Sequence, residues 1–533
     1  MEKKIVNISG WIIGVRNLGK ITFLVIRDGN GKNVQIVIKK KNLIKEINEN
    51  LKNGHLVKIN GFYNDKIKGN NEHIKVEDKE ILLTKWKLIS KSSNLPFEIK
   101  DRLELKEENK YKYRYIDLRR NRSRLPIVIK SRFLKYIRNK LDNKGFIEID
   151  TPILSQYSPE GAKSFIVPSN EKGKFYTLPQ SPQIFKQILM ISGFSKYYQI
   201  AKTFRNENAR SNRQPEFLQL DIEFWFAKEK EIFKLVKVLL EKFLIKELNI
   251  DKKNILFKKL TFEKCLETYG SDKPDLRNPL IIQKSKNLRF ILLNKDNLNH
   301  KVLKKIKDEI KIDRNAYIIS KLNENIEIIY ANKKITKNIK KFSKKNDRKD
   351  GIYIISNCKE KNNSLDILGR IRSSLSDIFI PKNQIYNFLW INNWPLFKKG
   401  NGKYESFRHP FTMPKKNYLK AISNNDSNKM NKMKCEAYDL VCNGEEIASG
   451  SLRINDWELQ KKIFQILGFK EEEIEKYFGY FLKALSFAAP PHGGIGLGIE
   501  RIIATFLNLK NLKETIPFPK NIDGSCSLTG TPN

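Results

Sequence analysis

The chain has 533 residues, too many for one ordinary core, so about two to four domains are expected. Hydrophobic residues at 40% and aromatics at 11% can fill buried cores, which excludes wholesale disorder. Lys and Arg number 102 against 59 Asp and Glu, and the formal charge of +43 favours a polyanionic partner. Part of that excess is drift toward Lys, Asn and Ile, visible in "KKNDRKDG" and "NEHIKVEDKEI", so charge alone establishes no partner. The five cysteines form no CxxC pair and have no metal spacing with the five histidines, which fits a reducing compartment. The start, "MEKKIVNISGWIIGV", has no signal-peptide core, and no apolar run is long enough to span a bilayer. A soluble, cytoplasmic protein is expected.

Residues 1–98 alternate apolar and polar in short runs such as "ITFLVIRD" and "VQIVIKK", punctuated by Gly, Asn and Asp. The pattern predicts a small barrel or sandwich, of the size of a five-stranded oligonucleotide-binding barrel. Residues 99–125 read as a linker passing into a charged helix. In "SRFLKYIRNKLDNKGFIEID" the period changes: Phe133, Leu134, Ile137 and Leu141 recur at helical spacing, and Gly145 sits where a C-cap belongs. A strand follows and stops at Thr151-Pro152. Residues 126–279 and 387–533 share one texture. The Lys/Asn-dense stretch 280–386 between them reads as an insertion, so one domain is interrupted by another.

Three segments carry candidate chemistry. In "QIAKTFRNENARSNRQPEFLQLDIEFW", residues 199–225, a dozen polar residues interrupt two strands. A surface hairpin is the plain reading, and a substrate-binding loop is its rival. In "YDLVCNGEEIASGSLRI", Asp439 and Glu446 flank a hairpin signal at Asn443-Gly444. Two acids converging near phosphates would hold Mg²⁺, although for this segment taken alone ordinary hairpin polarity is the favoured reading. In "APPHGGIGLGIERIIATFL", Gly494, Gly496 and Gly498 lead into a helix carrying Glu500 and Arg501. Such a strand admits a ligand against bare backbone, or simply lets a strand and helix pack tightly.

Taken in order, these segments resemble the three motifs of class II aminoacyl-tRNA synthetases: the helix and strand ending at Pro152, the "FRNE…RQPEF" loop, and "GIGLGIER". With "SPEGAKSF", "LPQSPQIFKQ", "RQPEFLQLDIE" and "PPHGG", the chain resembles the bacterial-type aspartyl enzymes over nearly all of residues 1–530. That resemblance implies a multidomain α+β protein. An N-terminal OB-fold anticodon-binding barrel precedes a catalytic domain built on an antiparallel sheet flanked by helices. An inserted α+β domain, drifted and in a GAD-like position, interrupts the catalytic domain. It also implies a homodimer, and ATP, L-aspartate and tRNA(Asp) as partners, with neither DNA nor a membrane. The implied reaction forms aspartyl-adenylate and then aspartyl-tRNA.

Site residues follow by the same resemblance. Arg205 and Arg501 are the catalytic pair. Aspartate is surrounded by Glu160, Ser181, Gln183, Lys186, Arg205, Asp221, Arg408 and Arg453, with Lys186 and Arg453 on its side-chain carboxylate. ATP meets Arg205, Asn206, Glu207, Gln214, Phe217, Glu446, Gly498, Ile499, Glu500 and Arg501. Asp439 and Glu446 match Mg²⁺-holding acids, while Phe23 and Gln35 match anticodon readers. The chain departs from the family at three places. "RHPF" carries Arg408 in place of the first histidine of His-His-Pro-Phe. Glu500 replaces the usual Asp, and the family's later acidic anticodon reader falls at Lys75. Leu18 stands where relatives that also charge asparagine tRNA often hold His, which leans toward a discriminating enzyme.

Overall fold

The computed structural model describes residues 5–65, 79–159, 161, 163–207, 212–285, 288–313, 316–322, 325–331, 349–356, 358, 360–381, 383–400, 403–424 and 426–532. The backbone clusters into two units. One comprises residues 1–131, 208–213 and 511–533; the other comprises 132–207 and 214–510.

In the first unit, β1 (Ile5–Asn17), β2 (Thr22–Asp28), β3 (Asn33–Ile38), β4 (Leu56–Asp65) and β5 (Lys79–Ser90) close into a barrel in the order β1-β2-β3-β5-β4. Closure follows from strict alternation: Leu24, Ile26, Ile36, Ile38, Val57 and Ile59 point inward and are sealed off from solvent. The helix Lys41–Asn50 adds Leu43, Ile44 and Ile47 to that core. Residues 99–125, expected as a linker, are folded. Ile99 and Ile116 cover Val25 on the outside of the barrel. Buried Asp117 accepts hydrogen bonds from Arg114 at 2.5 Å, Arg120 at 3.1 Å and Ser123 at 2.9 Å.

The second unit begins within the helix Asn121–Asp142, and in its half of that helix Phe133, Ile137 and Leu141 are fully buried at the predicted spacing. Gly145 turns the chain at φ 74°. Then come β6 (Ile147–Glu148), the hairpin β7 (Ile166–Pro168) and β8 (Phe175–Thr177), and β9 (Lys196–Phe204), β10 (Glu216–Trp225) and β11 (Ile255–Thr261). The insertion carries β12 (Ile282–Ser285), β13 (Leu288–Leu293), β14 (Ala316–Leu322), β15 (Asn325–Ala331) and β16 (Gly351–Ser356). After it run β17 (Tyr386–Asn392), the hairpin β18 (Phe397–Lys399) and β19 (Tyr404–Ser406), β20 (Ala437–Cys442), β21 (Glu445–Leu452) and β22 (His492–Gly498).

The main sheet has eight strands in the order β11-β17-β20-β21-β22-β10-β9-β6. Its interior is antiparallel, as expected, while each edge ends in a parallel pair, β11 with β17 and β6 with β9. Within the same unit, the described residues of 282–374 form a second sheet with helices of its own. Its five strands run β12-β13-β16-β14-β15, and one face packs on the helices His300–Asp313 and Lys361–Ser374. No helix among the described residues is long and apolar enough to cross a membrane.

Candidate active site

The site begins with cross-strand register. Opposite residues of antiparallel strands project to the same face. Asp221 on β10 faces Gly496 on β22, which faces Ser449 on β21, which faces Asp439 on β20. One step along, Glu223 faces Gly494, which faces Ser451. Glycine at alternate positions of β22 is what admits the acids. A Cβ at Gly494 would collide with the Ile222 carbonyl and the Glu223 carboxylate, and one at Gly496 with the Gln219 amide.

The acids on this floor are matched by cations from other elements. Lys186, on the helix Gln183–Ile191, places Nζ 2.7 Å from Asp221 and 3.4 Å from Glu223. Just past β21, Arg453 grips Glu223 with two forks, Nε at 2.8 Å and Nη2 at 3.1 Å. Its Nη1 donates to Ser451 Oγ at 2.7 Å and lies 2.8 Å from His409 Nε2. Both acids and both cations are almost wholly buried. Burial alone would raise Glu223, but Arg453 and Lys186 outweigh it and hold the carboxyl below its ordinary range. Burial, reinforced by Arg453, Lys186 and Arg408, pushes His409 well below its ordinary 6.5. The imidazole is therefore neutral, and its Nε2 accepts from Arg453. Phe411, sealed among Phe464, Phe478 and Phe481, anchors the segment that presents His409.

The polar interruption at 205–215 joins β9 to β10. The Arg205 amide donates to the Pro215 carbonyl at 2.8 Å, and the Arg205 guanidinium lies 5.2 Å from the centre of the Phe217 ring. Asn206 N donates to the Lys163 carbonyl at 2.8 Å, Glu207 N to the Arg205 carbonyl at 2.9 Å, and Gln214 is buried. Gly498 ends β22 and caps the helix Ile499–Phe506, in which Ile499 is buried. Glu500 accepts from the Leu218 amide at 2.9 Å, tying that helix to β10. Arg501 donates to the Glu446 carbonyl at 2.6 Å.

Ser181 precedes the helix that carries Lys186. Among the described residues the buried amide nitrogen of Gln183 has no hydrogen-bond partner. Glu160 lies outside the described residues.

Asp439 and Glu446 lie on the strands joined by Asn443-Gly444, whose φ angles of 51° and 89° are those of a tight hairpin. Neither carboxylate is open. Arg408 Nη2 donates to Asp439 Oδ1 and also to Ser449 Oγ, the latter at 2.8 Å. Lys273 Nζ lies 2.8 Å from Glu446. Burial is the main cause that raises Asp439 to about 7; Arg408 opposes it and Glu446 adds to it. For Glu446, Arg408 and Lys273 overcome burial and lower the carboxyl. As a fit for a divalent cation, then, Glu446 is paired with a partly exposed lysine and feels the charge of Arg408 besides, whereas Asp439 is bonded directly to the half-buried Arg408 guanidinium. Among the described residues no cluster of three or more His, Cys, Asp or Glu is arranged to hold a metal.

On the barrel, Phe23 faces Val37 and Gln35 faces Val25, so Phe23 and Gln35 share the outer face. Gln35 Nε2 donates to the Glu80 carboxylate. Lys75 lies outside the described residues, and the acid beside Gln35 is Glu80 on β5. Glu80 was missed because only the parallel β3–β5 pairing brings it there. Glu223 and His409 were missed too. Asp221 and Glu223 stand two apart in "LQLDIEFW", a period that puts both on one face and could have flagged the second acid.

A closed five-stranded barrel and a sheet crossed by an arginine-bearing loop and a glycine strand define a class II synthetase architecture. Residues 106–522 match the family described as "tRNA synthetases class II (D, K and N)", and residues 6–89 match "OB-fold nucleic acid binding domain". The chain belongs to that class II tRNA synthetase family. It is 39% identical to the "Aspartate--tRNA(Asp/Asn) ligase" of Borrelia garinii subsp. bavariensis, over 99% of this chain and 94% of that protein. It is 37% identical to the "Aspartate--tRNA ligase" of Buchnera aphidicola subsp. Schizaphis graminum, again over 99% and 94%. In fold it is similar to the Entamoeba histolytica asparaginyl-tRNA synthetase solved with asparaginyl-adenylate. That likeness has a TM-score of 0.63 at 17% identity and covers 98% of this chain and 97% of that one.

Proposed function

We infer that the chain is an aspartate–tRNA ligase: it joins L-aspartate to ATP as aspartyl-adenylate, releasing diphosphate, and transfers the aspartyl group to the 3′ end of tRNA(Asp). The observation that carries this reading is the buried quartet of Lys186, Asp221, Glu223 and Arg453. Its four charges cancel without a ligand, so the pocket can stay dry and pre-formed. Aspartate brings two carboxylates and one ammonium. Lys186 and Arg453 suit the side-chain carboxylate, and Asp221, Ser181, Gln183 and Glu160 suit the ammonium.

Arg205 bridges the α-carboxylate and α-phosphate, and Phe217 and Arg501 sandwich the adenine, with Asn206, Glu207, Gln214 and residues 498–501 completing the nucleotide site. The α-carboxylate attacks the α-phosphorus in line as diphosphate leaves. Positioning and charge neutralisation supply the rate, so no acid–base residue is required. Mg²⁺ entering with ATP would neutralise phosphate charge, and Glu446 is the residue that fits it.

Phe23 and Gln35, with Glu80, suit unstacked anticodon bases. Exposed Ile147 on the first motif, with exposed Ile153, Leu154 and Tyr157 just after it, supports a homodimer. Five unpaired thiols support a cytoplasmic setting. The divisions 1–98, 99–125, 126–279, 280–386 and 387–533 are proposed as functional parts, with 99–125 now a packed connector. Amino-acid-dependent exchange of diphosphate into ATP tests the reading.

A second reading is that tRNA(Asn) is charged as well. The Asp/Asn name of the Borrelia relative favours it, and Leu18 leans against it. Aminoacylation of purified tRNA(Asn) separates the two.

A further inference from the structure

We propose that Arg408 is the resident counter-cation of Asp439, so that a divalent ion arriving with ATP is anchored in this chain through Glu446 and not through Asp439. The inference rests on the reading that this cleft takes ATP. It starts from the asymmetry between two neighbouring acids.

The side chain of Asp439 is 2% exposed, and its Oδ1 is already bonded to Arg408. Arg408 is itself fixed on three sides: by that carboxylate, by Ser449 Oγ at 2.8 Å, and by the Trp394 ring, whose centre lies 4.3 Å from the guanidinium carbon. Trp394 is buried and donates its indole N–H to the Ile391 carbonyl at 3.0 Å, so the platform does not turn away. A planar, always-charged fork, stacked and bonded in this way, is not displaced as a lysine is. Pulling it off would leave a buried charge without a partner.

Glu446 differs in each respect. Its cation, Lys273, has a side chain 39% exposed, and a single flexible ammonium at 2.8 Å can swing into water and give up its place. Magnesium binds through one or two carboxylates plus phosphate oxygens, so Glu446 with ATP is a sufficient anchor. In this arrangement Arg408 supplies locked positive charge beside the phosphates, where a second metal–carboxylate bond would otherwise lie. Arg408 is then a positioning residue for the nucleotide cleft rather than a ligand of the aspartate substrate.

The test is a Mn²⁺ titration, read by the electron paramagnetic resonance of the free ion. The full-length protein is saturated with an ATP analogue that cannot be cleaved between its α and β phosphates, and the analogue alone is the reference. With Arg408 in place, Glu446→Gln is expected to weaken Mn²⁺ binding roughly tenfold or more, the effect of a close charge pair. Asp439→Asn is expected to leave it unchanged. Arg408→Gln frees Asp439 and is expected to tighten Mn²⁺ binding, a gain that Asp439→Asn then removes in the double variant.

The proposal is overturned if Asp439→Asn alone weakens Mn²⁺ binding as much as Glu446→Gln does. It is also overturned if Arg408→Gln folds and binds Mn²⁺ as the unaltered chain does. Should Arg408→Gln fail to fold, the two acid variants still decide the matter with Arg408 intact. Aspartate-dependent diphosphate exchange by the unaltered chain tests the underlying reading separately, so loss of one is not mistaken for loss of the other.

Discussion

Arg453 and Glu223, 230 residues apart in the chain, meet as a buried two-pronged ion pair with contacts of 2.8 and 3.1 Å. The pair aims the remaining guanidinium nitrogen at Ser451 and His409, into the pocket assigned to aspartate. Arg453→Leu would strand Glu223 and leave the substrate carboxylate without its partner. The expected loss is about 2–5 kcal/mol in kcat/KM for aspartate activation. Aspartate-dependent diphosphate exchange measures it, and a loss of only a few-fold would remove Arg453 from the substrate pocket.

The glycine strand makes a steric prediction. Gly494→Ala would set a methyl group into the Ile222 carbonyl and the Glu223 carboxylate, forcing β10 and β22 apart. Overpacking of this kind typically costs about 1–3 kcal/mol in stability. Denaturant unfolding with paired exchange assays should show activity falling along with stability, since the same collision displaces Glu223. Unchanged unfolding would mean that the strands part freely there.

His409 predicts a pH dependence. Its folded pKa lies well below the ordinary 6.5, because burial and the Arg453, Lys186 and Arg408 charges disfavour the imidazolium. Between those two values the unfolded chain binds more protons, so the stability contributed by neutral His409 is lost as pH falls below the ordinary histidine range. Substituting one residue isolates its share. His409→Gln should flatten the fall in Tm between neutral and mildly acidic pH relative to the unaltered chain, and an equal fall in both proteins would show that His409 does not carry it.

The barrel residues separate the two half-reactions. Phe23→Ala and Gln35→Ala should weaken aminoacylation by roughly 1–3 kcal/mol, the worth of a stacked base, and leave tRNA-free exchange intact. Equal losses in both assays would assign these side chains to barrel stability.

Much of this arrangement was legible in local pattern. Phe133, Ile137 and Leu141 marked their helix and Gly145 its end. Asn443-Gly444 marked a hairpin, and alternate glycines marked the strand on which the acids rest. These are short-range signals, set by φ/ψ freedom and periodicity. Glu223, His409 and Glu80 were hidden for the converse reason: their roles come from partners that only the sheet register brings near. The folded connector at 99–125 was hidden too, because its ion-pair knot at Asp117 looks in sequence like ordinary surface charge. Arg408 was visible as a substitution. Its bond to Asp439 joins the segment after β19 to β20, a contact across 31 residues that local pattern does not show.

The central claim is that the buried quartet selects aspartate. The most direct measurement is diphosphate exchange into ATP with each of the twenty amino acids in turn, using the purified full-length chain without tRNA. Exchange should be supported by aspartate, with asparagine and glutamate far below it. Asparagine lacks the charge that Lys186 and Arg453 face, and glutamate overfills the pocket. Exchange with asparagine or lysine equal to that with aspartate would contradict the account, as would no exchange with any amino acid.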